Sequence, residues 1–524
     1  MNRLIADLGL LMLGLLPSAA LLHQVPGNPK SSLALKIDAV LQQPEFKSAH
    51  WGILVVDQAD GRVVYEKNAD ELFAPASVTK LYSVAAALDA FGADYRFVTK
   101  VVRKGELRSE GLLDGDLILI ASGDLTMGGR TDANGKIAFK NVDHTYAAFT
   151  AEAETTEQNP LAGLADLARQ IAAAGIKRVR GDVLIDDRLF EKSESTGSGP
   201  TRLSPIVVND NVIDFHFTPT EPGKPATVQW RPRTASLVVD AQVMTGPENS
   251  VLRTVSHMPG PGRVVVRGSI PAKRKMLTRI AEVEDPASFA RSLFIDSLRA
   301  AGISVEASSL ERNRSEGLPA RDTVAELPQV ASFISPPFSE EARLILKVSH
   351  NLHASTLPLL IAAKNGQRTL EQGLLREGAF LRRAKVDVDQ ISFGGGAGGA
   401  RNDFATPRAT IQLLRYMATR PDFAVYEGAL PILGVDGTTH DSVPEDSPAR
   451  GKVRAKTGTF VLTNQLNGRA VLISKALAGY VTSASGKKLA FAMFVNGTHL
   501  PNTGETKREG KTLGKLAEII YHED

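Results

Sequence analysis

A chain of 524 residues, 43% of them hydrophobic, has the material for two or more buried cores. Its 61 basic and 58 acidic residues nearly cancel to a net charge of +3, and no long basic run concentrates the excess, which argues against a nucleic-acid binder defined by charge. The absence of cysteine excludes disulfides, a thiol nucleophile, lipidation on cysteine and cysteine-ligated zinc.

The chain opens MNRLIADLGLLMLGLLPSAA, with Arg3 ahead of an apolar run from Leu8 to Leu16 and a small-residue exit at Pro17-Ser18-Ala19-Ala20. This is the layout of a signal peptide cleaved after Ala20, and it predicts export to the periplasm or the extracellular space. The apolar run is short for a bilayer span; a retained N-terminal anchor, with peripheral membrane association, is the alternative. No later stretch is long enough to cross a membrane.

Residues 31–43, SSLALKIDAVLQQ, predict a helix capped by Ser31 or Ser32. WGILVVDQADGRVVYEKN predicts a hairpin around Asp60-Gly61. APASVTKLYSVAAALDAFG, residues 74–92, predicts a helix whose apolar face carries Val78, Leu81, Tyr82, Ala85, Ala86 and Leu88, ended by Gly92. From about residue 100 to 330, runs such as GDLILIASGD, RGDVLIDDRLF, TASLVVDAQVM and GRVVVRGSIP alternate with turn residues. This region reads as mostly β, with one helix, FARSLFIDSLRAAG, near its end. Helices return after Ser335 in SEEARLILKV, TLPLLIAAKNG and TLEQGLLREGAFLRRA. Two strands, RAVLISKALAGYVTS and KLAFAMFVNG, and a helix at about 511–521 close the chain. The expected fold is mixed α/β, one domain interrupted by a large inserted β-rich region. Its expected segments are 1–20 (signal peptide), 21–100 with 331–524 (the interrupted domain), 101–215 with 285–330 (the insertion) and 216–284 (a small nested domain).

Ser77-Val78-Thr79-Lys80 stands at the start of the 74–92 helix. A serine before an apolar helix usually serves as an N-cap, and the same spacing at Ser485-Gly486-Lys487-Lys488 reads as a turn between strands. Yet residues i and i+3 share a helix face, so the Lys80 amine can reach the Ser77 hydroxyl where the helix N-terminus offers free N–H donors. Ser349-His350-Asn351 follows a helix and alone would pass for a turn. Lys456-Thr457-Gly458-Thr459 lies in a β-rich segment and alone would pass for a protected edge strand. Together and in this order, Ser-x-x-Lys, Ser-x-Asn and Lys-Thr-Gly are the motif set of penicillin-recognising serine acyl-transferases.

On these motifs the sequence resembles class C low-molecular-mass penicillin-binding proteins, the D-alanyl-D-alanine carboxypeptidase/endopeptidase family, over nearly its whole length. ASGDLTMGG (121–129), RGDVLIDD (180–187), SPIVVNDN (204–211) and LPILGVDGTTHD (430–441) look like further landmarks of that family. The 272-residue separation of Ser77 from Ser349 is similar to the family's large insertion and unlike a compact β-lactamase. Two places depart from the pattern: His350 stands where the family usually has an acidic residue, and GGAGGAR (Gly395 to Arg401) replaces a segment like Asp-Gly-Ser-Gly-Leu-Ser-Arg.

The resemblance implies a β-lactamase/transpeptidase-like domain, a mostly antiparallel sheet flanked by helices, acting on peptidoglycan stem peptides ending in D-alanyl-D-alanine. Ser77 would be the nucleophile and Lys80 its base, with a pKa lowered by burial near a second cation, Lys456. Ser349 would relay a proton and Asn351 would hold a substrate amide. Lys456 and Thr457 would bind the terminal carboxylate or polarise Ser349, and Gly458 would let substrate lie against the strand. The backbone N–H groups of Ser77 and Thr459 would form the oxyanion hole. No metal or organic cofactor is implied, and β-lactams would acylate Ser77 as covalent inhibitors. The altered glycine-rich loop motivates the alternative, a catalytically impaired peptidoglycan-binding protein on the same fold.

Gly510-Lys511-Thr512 suggests a phosphate loop, but five residues separate Gly504 from Gly510 where the motif needs four. His350 and His353 can share a helix face, but no carboxylate or cysteine lies at ligand spacing, so no metal is expected there.

Overall fold

The computed structural model describes residues 31–523 apart from 261, 503 and 504, so the expected signal peptide at 1–20 lies outside the described residues. Five antiparallel strands form the first sheet, in the order Val453–Thr463, Ala470–Thr482, Lys488–Asn496, His50–Asp57, Val63–Lys67, and Thr498–Leu500 also pairs with the second of these. The inner strands are nearly continuous apolar runs because both faces are covered. Side chains alternate: Leu54, Val56, Ala476, Ala478 and Phe494 face a lobe of helices, while Ile53, Val55, Leu477, Phe491 and Met493 face the helices Ser32–Leu41 and Thr506–Tyr521. Ser31 caps the first of these by accepting from the Ala34 N–H at 3.2 Å. Gly510 to Thr512 lies inside the second, where no phosphate-cradling loop exists.

The lobe contains the helices Thr79–Phe91, Phe338–Val348, Asn351–Lys364, Leu370–Arg383 and Pro407–Ala418. Thr79–Phe91 runs through its middle. The expected apolar face is only part of its burial: residues 79–88 are all buried, Thr79, Lys80 and Ser83 included. Lys80 is thereby taken out of water on every side, and Gly92 ends the helix at φ 82°.

The chain leaves the lobe along Val98–Leu107 and returns along Gln329–Ile334, which pairs antiparallel beside it. An insertion whose ends are neighbours leaves its host domain undisturbed. Between them lie a second sheet, mixed parallel and antiparallel, and two three-stranded sheets, one built on Val212–Thr218 and one on Arg263–Pro271. Pro286–Ala300 is the expected helix. A second, Ala162–Ala173, packs into the same core through Leu164, Leu167, Ala168 and Ile171. Its helical spacing was present in the sequence, but the run is short and sits among strands. Arg291 is fully buried in this core, its guanidinium held by Asp182 and by the carbonyls of Val183, Ser308 and Glu311. The fold is thus mixed α/β, an antiparallel sheet flanked by helices with a large β-rich region inserted. No described helix is long and apolar enough to cross a membrane.

Candidate active site

Ser77 sits in a 3₁₀ turn, Ala76–Val78, that runs directly into the helix. Neither segment is capped by a side chain; the Ser77 Oγ instead accepts from Lys80 Nζ at 2.9 Å. Ala76 has φ 45°, a left-handed conformation that residues other than glycine adopt only where packing enforces it. Lys80 Nζ has two more acceptors, Asn351 Oδ1 at 2.7 Å and the Ala397 carbonyl at 2.7 Å. Burial brings the Lys80 amine down from the usual lysine range to about 7, opposed by the Asp403 carboxylate.

Helix Phe338–Val348 ends at Ser349, which is left-handed at φ 62°, and the next helix starts two residues later at Asn351. This corner sends Ser349 and Asn351 to opposite partners. The Ser349 Oγ accepts from Lys456 Nζ at 2.9 Å, and the Ser349 carbonyl accepts from the Tyr146 hydroxyl at 2.5 Å. Asn351 turns its oxygen to Lys80 and donates from Nδ2 to the Ser198 carbonyl at 2.8 Å and the Ser198 Oγ at 3.2 Å.

Lys456 is wholly buried on the edge strand Val453–Thr463, where its Nζ also donates to the Thr457 carbonyl at 2.8 Å. Burial, and then repulsion from Lys80 and Lys475, pushes its amine well below the usual lysine range. Burial near Lys456 was the expected cause of a lowered Lys80 pKa; burial is the cause found at Lys80, while the repulsion between the two amines acts on Lys456. Thr457 Oγ1 donates to Thr438 Oγ1 at 2.7 Å. Thr459 is exposed, and its Oγ1 accepts from Lys475 Nζ at 2.9 Å. At Gly458 a Cβ would meet the Pro75 carbonyl at 2.5 Å, so this strand lies directly against the Ser77 turn.

All eight residues singled out from the sequence, Ser77, Lys80, Ser349, Asn351, Lys456, Thr457, Gly458 and Thr459, therefore lie together where the sheet edge meets the helical lobe. Several neighbours were missed. Lys475 lies across the strand pair from Thr459, and burial brings its amine down to about 8. Thr438 comes from the LPILGVDGTTHD landmark and Ser198 from the insertion. Asp403 organises the glycine-rich loop by accepting from the N–H groups of Gly394 at 2.8 Å and Ala400 at 2.7 Å. That loop is built from backbone: Ala397 presents its carbonyl to Lys80 and Gly396 its carbonyl to Ser83. Side chains at Gly396, Gly398 and Gly399 would overlap the carbonyls of Ala354, Ala76 and Thr196. The spacing of Asp403 behind the glycines was the available signal.

Comparison with known proteins gives the family. The model of the D-Ala-D-Ala carboxypeptidase 3 (S13) family matches residues 33–515. A D-alanyl-D-alanine carboxypeptidase of Actinomadura sp. (strain R39) is 28% identical over 93% of this chain and 85% of its own length. The D-alanyl-D-alanine carboxypeptidase DacB of Haemophilus influenzae is 24% identical over 92% of each chain. The crystal structure of penicillin-binding protein 4 from that organism superposes with a TM-score of 0.69 at 20% identity, covering 93% of this chain and 98% of the other, which shows the shared fold. A family match over residues 33–515 places this chain in the D-Ala-D-Ala carboxypeptidase 3 (S13) family, as a serine-type D-Ala-D-Ala carboxypeptidase.

Proposed function

We propose that this enzyme is exported and removes the terminal D-alanine of peptidoglycan stem peptides through an acyl-enzyme on Ser77. The observation that carries the reading is a doubled contact: Lys80 Nζ lies 2.9 Å from the Ser77 Oγ, and Lys456 Nζ lies 2.9 Å from the Ser349 Oγ. Each hydroxyl has a buried amine beside it, and for Lys80 burial makes the neutral form accessible near neutral pH.

The Ser77 Oγ attacks the carbonyl carbon of the penultimate D-alanine while neutral Lys80 takes the hydroxyl proton. The backbone N–H groups of Ser77 and Thr459 donate hydrogen bonds to the carbonyl oxygen as charge develops on it. The C–N bond breaks, and a proton passed through Ser349 goes to the leaving D-alanine nitrogen. Water then attacks the ester, returns a proton to Ser77 and releases the shortened peptide. Asn351 holds a substrate amide and Gly458 keeps the strand side-chain-free beside the nucleophile, while Lys456 and Thr457 bind the terminal carboxylate. A D-alanine-linked cross-link presents the same scissile bond, so endopeptidase action follows from the same steps. A β-lactam presents a strained amide to Ser77 and remains as an ester. Penicillin-binding protein 4 of H. influenzae, which shares the fold, has been crystallised in complex with a β-lactam, which supports β-lactam binding here.

The test is intact-protein mass spectrometry after incubation with benzylpenicillin. A gain of one drug mass, absent in Ser77→Ala, is expected. A folded wild type with no gain would overturn the mechanism and favour a peptidoglycan-binding protein on the same fold. Digests of isolated muropeptides then separate loss of terminal D-alanine from opening of cross-links.

A further inference from the structure

Charge is unevenly spread along this chain. Residues 216–284 hold ten Lys and Arg against five Asp and Glu, a net +5, whereas the whole chain is only +3. The sheet built on Arg263–Pro271 lies in this stretch, in the order Val238–Gly246, Arg263–Pro271, Arg253–Gly260, and its two faces differ. Val243, Val264, Val266 and Ile270 turn into the core of the insertion. We propose that the opposite face, with the two loops at one end of the sheet, docks on a bilayer that carries anionic phospholipids.

Strand register fixes what that face presents. Val255 lies opposite Arg267, Arg253 opposite Ser269 and Val238 opposite Arg263, so arginines and aliphatic side chains are interleaved across it. Val238, Met244 and Val255 are 63%, 41% and 66% exposed. Asp240 is the one carboxylate that the register places on this face. It accepts from Arg263 Nη2 at 3.1 Å and from Arg267 Nη2 at 2.8 Å, and one negative charge cannot neutralise both. At one end of the sheet the Gly246 carbonyl accepts from the Ala272 N–H, which brings the loops 247–252 and 272–276 together. Lys273 Nζ reaches Glu248 across them at 2.7 Å. Val251 and Met276 stand out from these loops, 68% and 47% exposed, and Arg253, Lys273 and Lys275 are exposed around them. Single exposed valines are ordinary, but a sheet face and its adjoining tip that share this pattern form a patch.

The mixture selects the partner. Guanidinium forks bind phosphate oxygens, and the aliphatic side chains between them need an apolar medium. The boundary between phospholipid headgroups and acyl chains supplies both at once. A single-stranded nucleic acid would be met by aromatic rings, and the register places none on this face. Peptidoglycan offers carboxylates to the arginines but no apolar layer to the valines. A second copy of the chain would bring the same positive face and be repelled. The contact is separate from the Ser77 chemistry, and neither depends on the other.

The experiment co-sediments the purified chain, in the form recovered after export, with vesicles of phosphatidylcholine alone or mixed with phosphatidylglycerol. Binding is expected with the anionic vesicles, weakening as salt is raised. A basic residue at such a surface strengthens binding about fivefold, so Arg253→Gln/Lys275→Gln should bind about 25-fold more weakly. Val251→Ser/Val255→Ser should bind about tenfold more weakly, a loss that a purely electrostatic contact would not show. Melting temperatures report whether these surface variants fold. Hydrogen exchange of the wild type should show new protection in residues 247–255 and 272–276 when anionic vesicles are added, and it decides the matter alone if a variant does not fold. No binding to anionic vesicles, equal binding to both kinds, undiminished binding by either folded variant, or protection confined to other residues would each overturn the proposal.

Discussion

Lys80 Nζ and Asn351 Oδ1 stand 2.7 Å apart, joining two helices across 271 positions of sequence. The carboxamide holds the buried amine without adding charge beside it. Asn351→Asp would place a carboxylate at that distance, favour the ammonium and raise the Lys80 pKa by about 1–3 units. Benzylpenicillin acylation at pH 7 should fall by roughly 5-fold to 500-fold, with much of it recovered at higher pH. Stopped-flow acylation rates across pH check this; a uniform loss at every pH would show that Asn351 acts only by contact with substrate.

The wild-type profile follows from the same amine. Burial favours its neutral form, so the base is available above about pH 7 and protonated below it. The acylation rate should rise about tenfold per pH unit on the acid side and level off above that midpoint. Lys80→Arg should abolish acylation at every pH tested, because a guanidinium keeps its proton.

How much of this was legible in the sequence depends on the range of the contact. Ser77 and Lys80 are one helical turn apart, and Lys456 to Thr459 are consecutive, so local spacing exposes them. Ser349 and Asn351 are legible as a motif, but their partners Tyr146 and Ser198 come from the insertion. Nothing local marks Lys475, because its role comes from strand register opposite Thr459. Asp210, which holds His353 Nε2 from 143 positions away, illustrates the limit most plainly. Its loop, Asn209 to Asn211, takes three successive positive φ values of 52°, 52° and 54°, which Asn and Asp tolerate better than most residues but which composition alone does not announce. The helix Thr79–Phe91 was legible as a helix, whereas its enclosure on all sides follows from packing by the lobe.

Gly398 is where the loop presses against the nucleophile turn. It has φ +88°, and a Cβ there would overlap the Ala76 carbonyl. Gly398→Ala therefore adds left-handed strain and forces apart the loop that carries the Ala397 carbonyl to Lys80. A stability loss of about 2–4 kcal/mol is expected. Acylation should fall as well in the protein that remains folded. Thermal denaturation followed by penicillin labelling at low temperature checks both, and an unchanged labelling rate would mean that the loop does not position the amine.

Lys475 offers a separate test of the proposed binding of the substrate's terminal carboxylate. Its Nζ holds Thr459 Oγ1 at 2.9 Å, on the strand whose Lys456 and Thr457 are proposed to bind that group. A hydrogen bond to a charged partner contributes about 1.5–3 kcal/mol, so Lys475→Met should raise KM for a D-Ala-D-Ala peptide about 10-fold to 100-fold with a smaller change in kcat. The comparison that isolates charge uses the same peptide with its C-terminus amidated, which cannot use the cation. Wild type should prefer the free acid strongly, and the variant should lose most of that preference. Because burial brings the Lys475 amine down to about 8, the wild-type preference should itself weaken as pH rises through that value. An undiminished preference in the variant would assign carboxylate binding to Lys456 and Thr457 without help from the neighbouring strand.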